Sequence, residues 1–151
     1  MSTLHSASDI AGVIAARLAT ITIANGKNTD VGLRVLRGRR RIDDAQVPCV
    51  VLAEGPDNPT PGPGRLPTCE VSQSYILIAY HACDADHPND MGHLLLKDLK
   101  RAVFHDGVTL GGNVVRVKYA GRDIGPRGDG VGIVCASIEV EVSYVEDLTN
   151  P

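Results

Sequence analysis

The sequence predicts an α+β domain in which two helices pack on one face of a mostly antiparallel sheet, in the order α-β-β-β-α-β-β. Three observations support this class. The chain ends in a long segment of polar and apolar alternation, it contains two amphipathic helical segments among strand-like runs, and it has no internal repeat. With 151 residues, a single domain spanning residues 1–151 is expected.

Composition limits the possible functions before any motif is considered. The chain is 43% hydrophobic, so it can build a core, mainly from Val, Ile, Leu and Ala because aromatic residues are scarce. The net charge of −3 gives no overall attraction to nucleic acid or to a membrane. No apolar run approaches the roughly 20 residues that cross a bilayer, and the polar first residues do not resemble a secretion signal. We expect a soluble protein made in the cytoplasm.

The first helix is predicted over residues 10–21, where apolar residues recur at helical spacing. Ser6 or Ser8 can cap its first turn, and Asn25-Gly26 stops it.

Two strands are expected next, over 32–37 and 47–53, and we predict that they form a hairpin with a long connection. The connection begins with a basic turn whose arginines are Arg37, Arg39, Arg40 and Arg41. Four arginines in five residues could meet phosphates, but no aromatic residue is interleaved for base stacking. A solvated tip, or a contact with acidic residues of a neighbouring subunit, is the favoured interpretation.

Residues 55–67 contain five prolines and three glycines in thirteen residues. Because proline cannot donate a backbone hydrogen bond, we expect this segment to be an exposed, mobile loop that joins neither a helix nor a central strand.

A long strand is predicted over 69–81, apolar on both sides toward its end and therefore central and covered on both faces. The second helix follows, capped by Asn89 or Asp90. Its packed face is expected to contain Met91, Leu94, Leu95, Leu99, Ala102 and Val103, whereas Lys97, Asp98, Lys100 and Arg101 mostly face water.

The last two strands are predicted over 113–120 and 130–147. The first should direct Val115, Val117 and Tyr119 inward. The second is the long alternating segment, about 15 residues and roughly 50 Å if straight, against a domain diameter of roughly 40 Å. We expect it to bend, curl or reach beyond its own domain, where an unpaired edge could bind another chain.

A search for chemistry finds little. His81, Cys83 and His87 could converge on zinc, but no second ligand pair has zinc-finger spacing, and a capped turn before the second helix is the favoured interpretation. No Ser or Cys has an identifiable base and orienting partner. We therefore predict no enzymatic activity, no cofactor and no metal.

Three segments together resemble a known family: the helix end ITIANGKNTDVGLRVLRGRR, the middle segment QSYILIAYHACDADHPNDMGHLLLKDLKRAVF and the closing VKYAGRDIGPRGDGVGIVCASIEVEVSYVEDLTNP. Over roughly residues 8–151 the chain resembles the tail terminator, or tail completion, proteins of long-tailed bacteriophages and prophages. The motifs are strands, turns and a late Tyr-x-x-Asp-Leu-x-x-Pro tail, without a catalytic signature.

The resemblance implies a structural virion protein at the head-proximal end of the phage tail. Such a subunit forms a hexameric ring that caps the tail tube, stops its polymerisation and offers a surface for joining the head. Its expected partners are copies of itself, the tail tube protein and a head completion or connector protein, with a route for genome DNA through the ring. Another head–tail connector, a head completion protein or a tube subunit is the alternative, and a small metal-binding domain is a weaker one.

A ring requires two different patches on each subunit. We predict that oppositely charged groups of the last two strands and of the loop after Tyr119 contact neighbouring subunits. These are Arg122, Asp123, Arg127, Glu139 and Glu141. The arginines of the basic turn and the proline-rich loop are candidates for partner contacts or for the ring opening.

Overall fold

The structure is a computed structural model that describes residues 6–38, 41–61, 67–126 and 132–151. Within these ranges the chain forms two helices and five strands in the predicted order, so the α+β prediction is confirmed. They are α1 (Ala7–Leu18), β1 (Val35–Arg37), β2 (Cys49–Pro61), β3 (Thr68–Ala82), α2 (Pro88–Phe104), β4 (Arg116–Pro126) and β5 (Ile133–Asp147). Neither described helix is long and apolar enough to cross a membrane.

The strands form one sheet in the order β1-β2-β3-β5-β4. Each pair of neighbours is antiparallel except β1 and β2. At the centre, β3 and β5 pair over their whole length, from Thr68↔Asp147 to Ala82↔Ile133. The sheet is therefore organised around these two 15-residue strands.

The alternation predicted for the final strand is confirmed, because every second residue of β5 is buried: Val134, Ala136, Ile138, Val140, Val142 and Tyr144. The expectation that this strand offers an unpaired edge is wrong over most of its length. From Val134 to Ser143 its backbone pairs with β4 on one side and with β3 on the other. The edge belongs to β4 instead.

Both helices cover the same face of the sheet and share one core with it. Ser6 caps α1 as predicted, since its hydroxyl accepts a hydrogen bond from the Asp9 N–H. The second helix begins at Pro88, one residue before the predicted caps, and has no side-chain cap. The core side chains that the helices supply are Ile10, Ala11, Ile14, Leu18, Leu95, Leu96, Leu99, Ala102 and Val103.

Asp98 was predicted to face water, and this is wrong: its side chain is completely buried in α2. The turn after α1 lies against this helix and supplies three donors to the carboxylate. The Asn28 backbone N–H and side-chain amide donate to Oδ1 at 3.1 and 3.0 Å, and the Thr29 hydroxyl donates to Oδ2 at 2.8 Å. Asp98 thus ties the turn after α1 to the second helix.

β1 and β2 pair in parallel, from Val35↔Val50 to Arg37↔Leu52, so the predicted hairpin is wrong. The described part of their connection crosses the helix-free face of the sheet, where Ile42 packs with Cys49 and Val51. Burial of Ile42 holds the connection against this face, so the chain crosses back over the sheet and enters β2 in the same direction as β1. A second, smaller core results on that face.

The small core determines which part of β3 is covered on both faces. Ile78 and Tyr80 pack against it, whereas Ile76 is 37% exposed on the same face. The predicted central position of β3 is correct, but only its C-terminal part is covered on both faces.

The proline-rich segment is partly a strand, contrary to prediction. After an irregularity between Glu54 and Asp57, β2 continues to Pro61, paired with β3 as far as Cys69. This is possible because β1 covers only residues 50–52, so the rest of β2 is a sheet edge, where prolines are tolerated. The segment is exposed over 56–60, as predicted, and residues 62–66 lie outside the described ranges.

β4 begins later and ends later than predicted. Val117 is buried as expected. Tyr119 has the buried Val140 as its register partner, so it lies on the core face as predicted, although it is 40% exposed at the sheet edge. Val115, just before the strand, is 53% exposed, so its predicted inward position is wrong. A register shift between Tyr119 and Gly121 interrupts the pairing with β5, and Gly121 adopts a φ of 147°, which glycine tolerates and other residues rarely do. The expected linker after residue 120 is therefore strand up to Pro126.

The Asp98 anchor gives a first prediction. Replacing Asp98 with Ala leaves three donors of Asn28 and Thr29 without their acceptor, so the free energy of unfolding should fall by about 2–4 kcal/mol. Asp86→Ala, an exposed site in the turn before α2, should change it by less than about 0.5 kcal/mol. Urea denaturation measures both. Equal effects of the two substitutions would contradict the anchoring role.

A second prediction concerns the ion pair between the helix ends. Both Arg17 guanidinium Nη atoms lie 2.8 Å from Asp106 carboxylate oxygens, and this hydrogen bonding holds the pKa of Asp106 below its usual range. The pair therefore stabilises the folded chain above the unfolded pKa of about 3.9, and this contribution is lost as pH falls through the lower folded pKa. Asp106→Asn should be less stable than the parent at pH 6, with the difference shrinking from about pH 4 downward. A constant difference across pH would contradict this prediction.

Candidate interaction surfaces

The predicted interface residues separate into two groups at opposite sides of the sheet. Arg37 lies at the end of β1 and Arg41 follows it, both exposed. The remaining described candidates lie on β4 and β5, and β1 is four strands away from β4, or roughly 19 Å. Predicted candidates outside the described residues are Arg39, Arg40 and Arg127. The structure thus does not join the basic turn to the other group.

On the helix-free face, Asp123 and Glu139 line a shallow depression of about 310 Å³ with Ile76 and Ser137. Glu139 is exposed and Glu141 half-buried, both on the strand face opposite the main core, as predicted. Register places Lys118 directly opposite Glu141. Charged and polar side chains dominate this surface, and Ile76 and Ala120 are exposed apolar residues in the depression.

Arg122 also borders this depression, but its side chain lies on the other face, with the helices, because its register partner is the buried Ile138. Its Nη1 is 3.4 Å from Nδ1 of His93 on α2. Arg122 and Asp123 therefore point to opposite faces of β4, and the predicted contact surface is divided between them.

A row of basic side chains runs along α2 beside β4. Lys97 and Lys100 follow His93 at helical spacing, and Lys100 Nζ lies 4.9 Å from the centre of the Tyr119 ring. We call Lys97, Lys100 and Arg122 the basic strip. Among the described residues, none of the three makes a salt bridge.

Gly92 determines how closely this helix approaches the edge strand. A Cβ atom at Gly92 would lie only 2.8 Å from the Ile124 side chain, so a larger residue would push α2 away from β4. The close approach places the cations of the helix beside Tyr119 and Arg122. The placement of the basic strip therefore depends on glycine at position 92.

Three carboxylates lie on the same face as the helices, two of them on β2 at the opposite side of the sheet. Glu54 and Asp57 belong to β2 and Glu146 to β5, and we call them the acidic cluster. Burial, followed by the charges of Glu146 and Asp57, raises the pKa of Tyr144 to about 12, with a further contribution from Glu54. The three carboxylates thus lie around one buried tyrosine, and none makes a salt bridge with another described residue.

Tyr75 is completely buried on β3 next to this cluster. Burial and then the charge of Glu54 raise the pKa of Tyr75 above its ordinary value. Its hydroxyl has no hydrogen-bond partner among the described residues.

The possible zinc ligands do not converge. His87 pairs with Asp84 at 3.2 Å, and His81 Nδ1 lies 2.7 Å from the Ala82 carbonyl oxygen. The Asp86 N–H, followed by His87, lowers the pKa of Asp84, as in a capped turn. Across the described ranges, no group of three or more His, Cys, Asp or Glu side chains is placed to hold a metal ion.

Neither the basic strip nor the acidic cluster was predicted as a unit. Helical spacing could have grouped Lys97 with Lys100, but the addition of Arg122 depends on the shifted register of β4. The acidic cluster was hidden because Asp57 lies in the proline-rich segment, where no strand was expected. Comparison with known proteins gave no match to a family model and no match among curated proteins.

The unpartnered hydroxyl of Tyr75 generates a third prediction. Tyr75→Phe removes a buried hydroxyl that has no partner, so the free energy of unfolding should stay unchanged or rise by up to about 1 kcal/mol. Leu77→Ala, on the same strand and face, should lower it by about 2–5 kcal/mol. A loss above about 1 kcal/mol for Tyr75→Phe would show that the hydroxyl is satisfied. Chemical denaturation measures both variants.

Proposed function

We propose that this chain is a structural virion subunit that forms a ring on a phage tail tube, ends tail polymerisation and offers a surface for joining the head. The family resemblance of the sequence supplies this biological setting. No catalytic or cofactor role is part of the proposal.

The observation that carries the proposal is the difference between the two lateral sides of the sheet. One side ends in β4, an edge strand of eleven residues that includes the exposed Tyr119 and follows the exposed Val115. The other side ends in β1 and the exposed, proline-bearing part of β2. A closed ring is built from heterologous contacts, in which one patch of each copy meets a different patch of the next. Two dissimilar lateral sides supply such patches.

Two further features are candidates for contacts with other tail components. The exposed Arg37 and Arg41, at the end of β1 and in the segment after it, are candidates for contact with the tube protein or with a head completion protein. The polar helix-free face, with Asp123 and Glu139, is a candidate lining for a channel that genome DNA crosses, because its carboxylates would not hold the DNA backbone.

A fourth prediction tests this function directly. Purified full-length chain, alone or with tail tubes, should form discrete rings of six copies, and the rings should sit at one end of each tube. Mass photometry measures the copy number, and negative-stain electron microscopy locates the ring. A chain that stays monomeric in the presence of tubes would contradict the proposal. Growth into long open-ended cylinders would also contradict it and would favour a tube subunit.

A further inference from the structure

We propose that neighbouring copies in the ring dock head to tail through the basic strip of one copy and the acidic cluster of the next. The inference rests on the proposed ring and names its contact surfaces. The partner is thus a second copy of this chain.

The first argument is the segregation of charge. Lys97, Lys100 and Arg122 lie together beside β4 without a salt bridge to a described carboxylate. Glu54, Asp57 and Glu146 gather around Tyr144 without a salt bridge to a described cation. Arg37 of β1 acts on the nearby Tyr75 together with Glu54, but it makes no salt bridge with these carboxylates. Like charges that share a small area repel one another, so each group gains from a partner of opposite sign. Each group is the complement of the other.

The second argument is placement. The strip and the cluster lie on the same face of the sheet, the one that carries the helices, as the register of Arg122 with Ile138 and of Asp57 with Gln73 shows. Glu54 and Asp57 lie across the sheet from the strip, because β2 and β4 are three strands apart, or roughly 14 Å, whereas Glu146 lies on β5 beyond the end of its pairing with β4. A single copy therefore cannot bring them together, whereas a side-by-side neighbour can.

The third argument concerns the backbone. Pro56 and Pro59 lie on the outer part of β2 and have no N–H, so they cannot donate to a neighbouring strand. A continuous hydrogen-bonded ladder between β4 of one copy and β2 of the next is therefore disfavoured. Side chains must determine the contact, with the charges fixing its orientation and the exposed Val108 and Val115 supplying apolar area near β4.

The choice of a second copy follows from the presence of both charge groups on one chain. A nucleic acid would neutralise the strip but would be repelled by the cluster, whose carboxylates would stay unpaired. A head-to-tail neighbour satisfies both groups in each subunit and repeats around the ring.

Charge reversal tests the inference. The strip variant carries Lys97→Glu and Lys100→Glu, and the cluster variant carries Glu54→Lys and Asp57→Lys. For each variant alone, the fraction of chains assembled into rings should fall at least tenfold, because like charges then face each other at every contact. An equimolar mixture should restore rings, since every contact in an alternating, even-membered ring again joins opposite charges. One chain carrying all four substitutions should also form rings.

Matched controls separate this contact from net charge. Lys27→Glu with Arg34→Glu repeats the charge change of the strip variant elsewhere, and Asp86→Lys with Asp9→Lys repeats that of the cluster variant, at sites outside the proposed contacts. Both controls should keep parental ring formation. Circular dichroism and urea denaturation should show that all the variants fold.

The outcomes distinguish this inference from the proposed function. If the parent chain forms no ring, both fail. If the parent forms rings and the strip and cluster variants form them equally well, the head-to-tail contact is wrong while the ring function stands. Failure of the mixture to recover, or equal losses in the controls, overturns the contact as well. Rings that survive strip reversal while binding to a short DNA duplex is lost would make the strip a nucleic-acid surface instead.

Discussion

The pairing of β3 with β5 is the constraint on which the rest of the structure depends. Two 15-residue strands pair from end to end at the centre of the sheet, and their alternate residues form the floor of the main core. A one-residue slip would expose that whole row of apolar side chains, so burial fixes the register. Because β3 and β4 pair with β5 on its two sides, the backbone groups available to a neighbouring copy lie at the lateral sides of the sheet.

The two lateral sides differ in chemistry as well as in position. Close packing of Gly92 against Ile124 brings the cations of α2 to the β4 side, and the register of β2 brings Glu54 and Asp57 to the other side. Three cations thus lie near one edge, and the carboxylates of β2 lie near the other, where Arg37 of β1 is also found. An assembly of identical copies can use this difference to set the orientation of each subunit.

The sequence predicted those features that follow from local periodicity. The alternation of β5 and the helical spacing in α1 correctly indicated their buried faces, because each pattern has one dominant period. Features set by distant partners were missed. Asp98 resembled a surface residue among its charged neighbours until Asn28 and Thr29 supplied its donors. The parallel pairing of β1 depends on where Ile42 packs, and the continuation of β2 depends on an edge position that tolerates proline. For the same reason, the sequence named Arg122 and Glu139 as contact residues but could not place them on opposite faces of the sheet.

Zero-length cross-linking of the assembled protein tests the central claim most directly. Chains with and without isotope labels would be mixed before assembly, so that mass spectrometry separates links between copies from links within one copy. The account predicts mixed-label links that join Lys97 or Lys100 to Glu54 or Asp57. Assembled particles in which these lysines link only within their own chain, or to the same helix of a second copy, would contradict it.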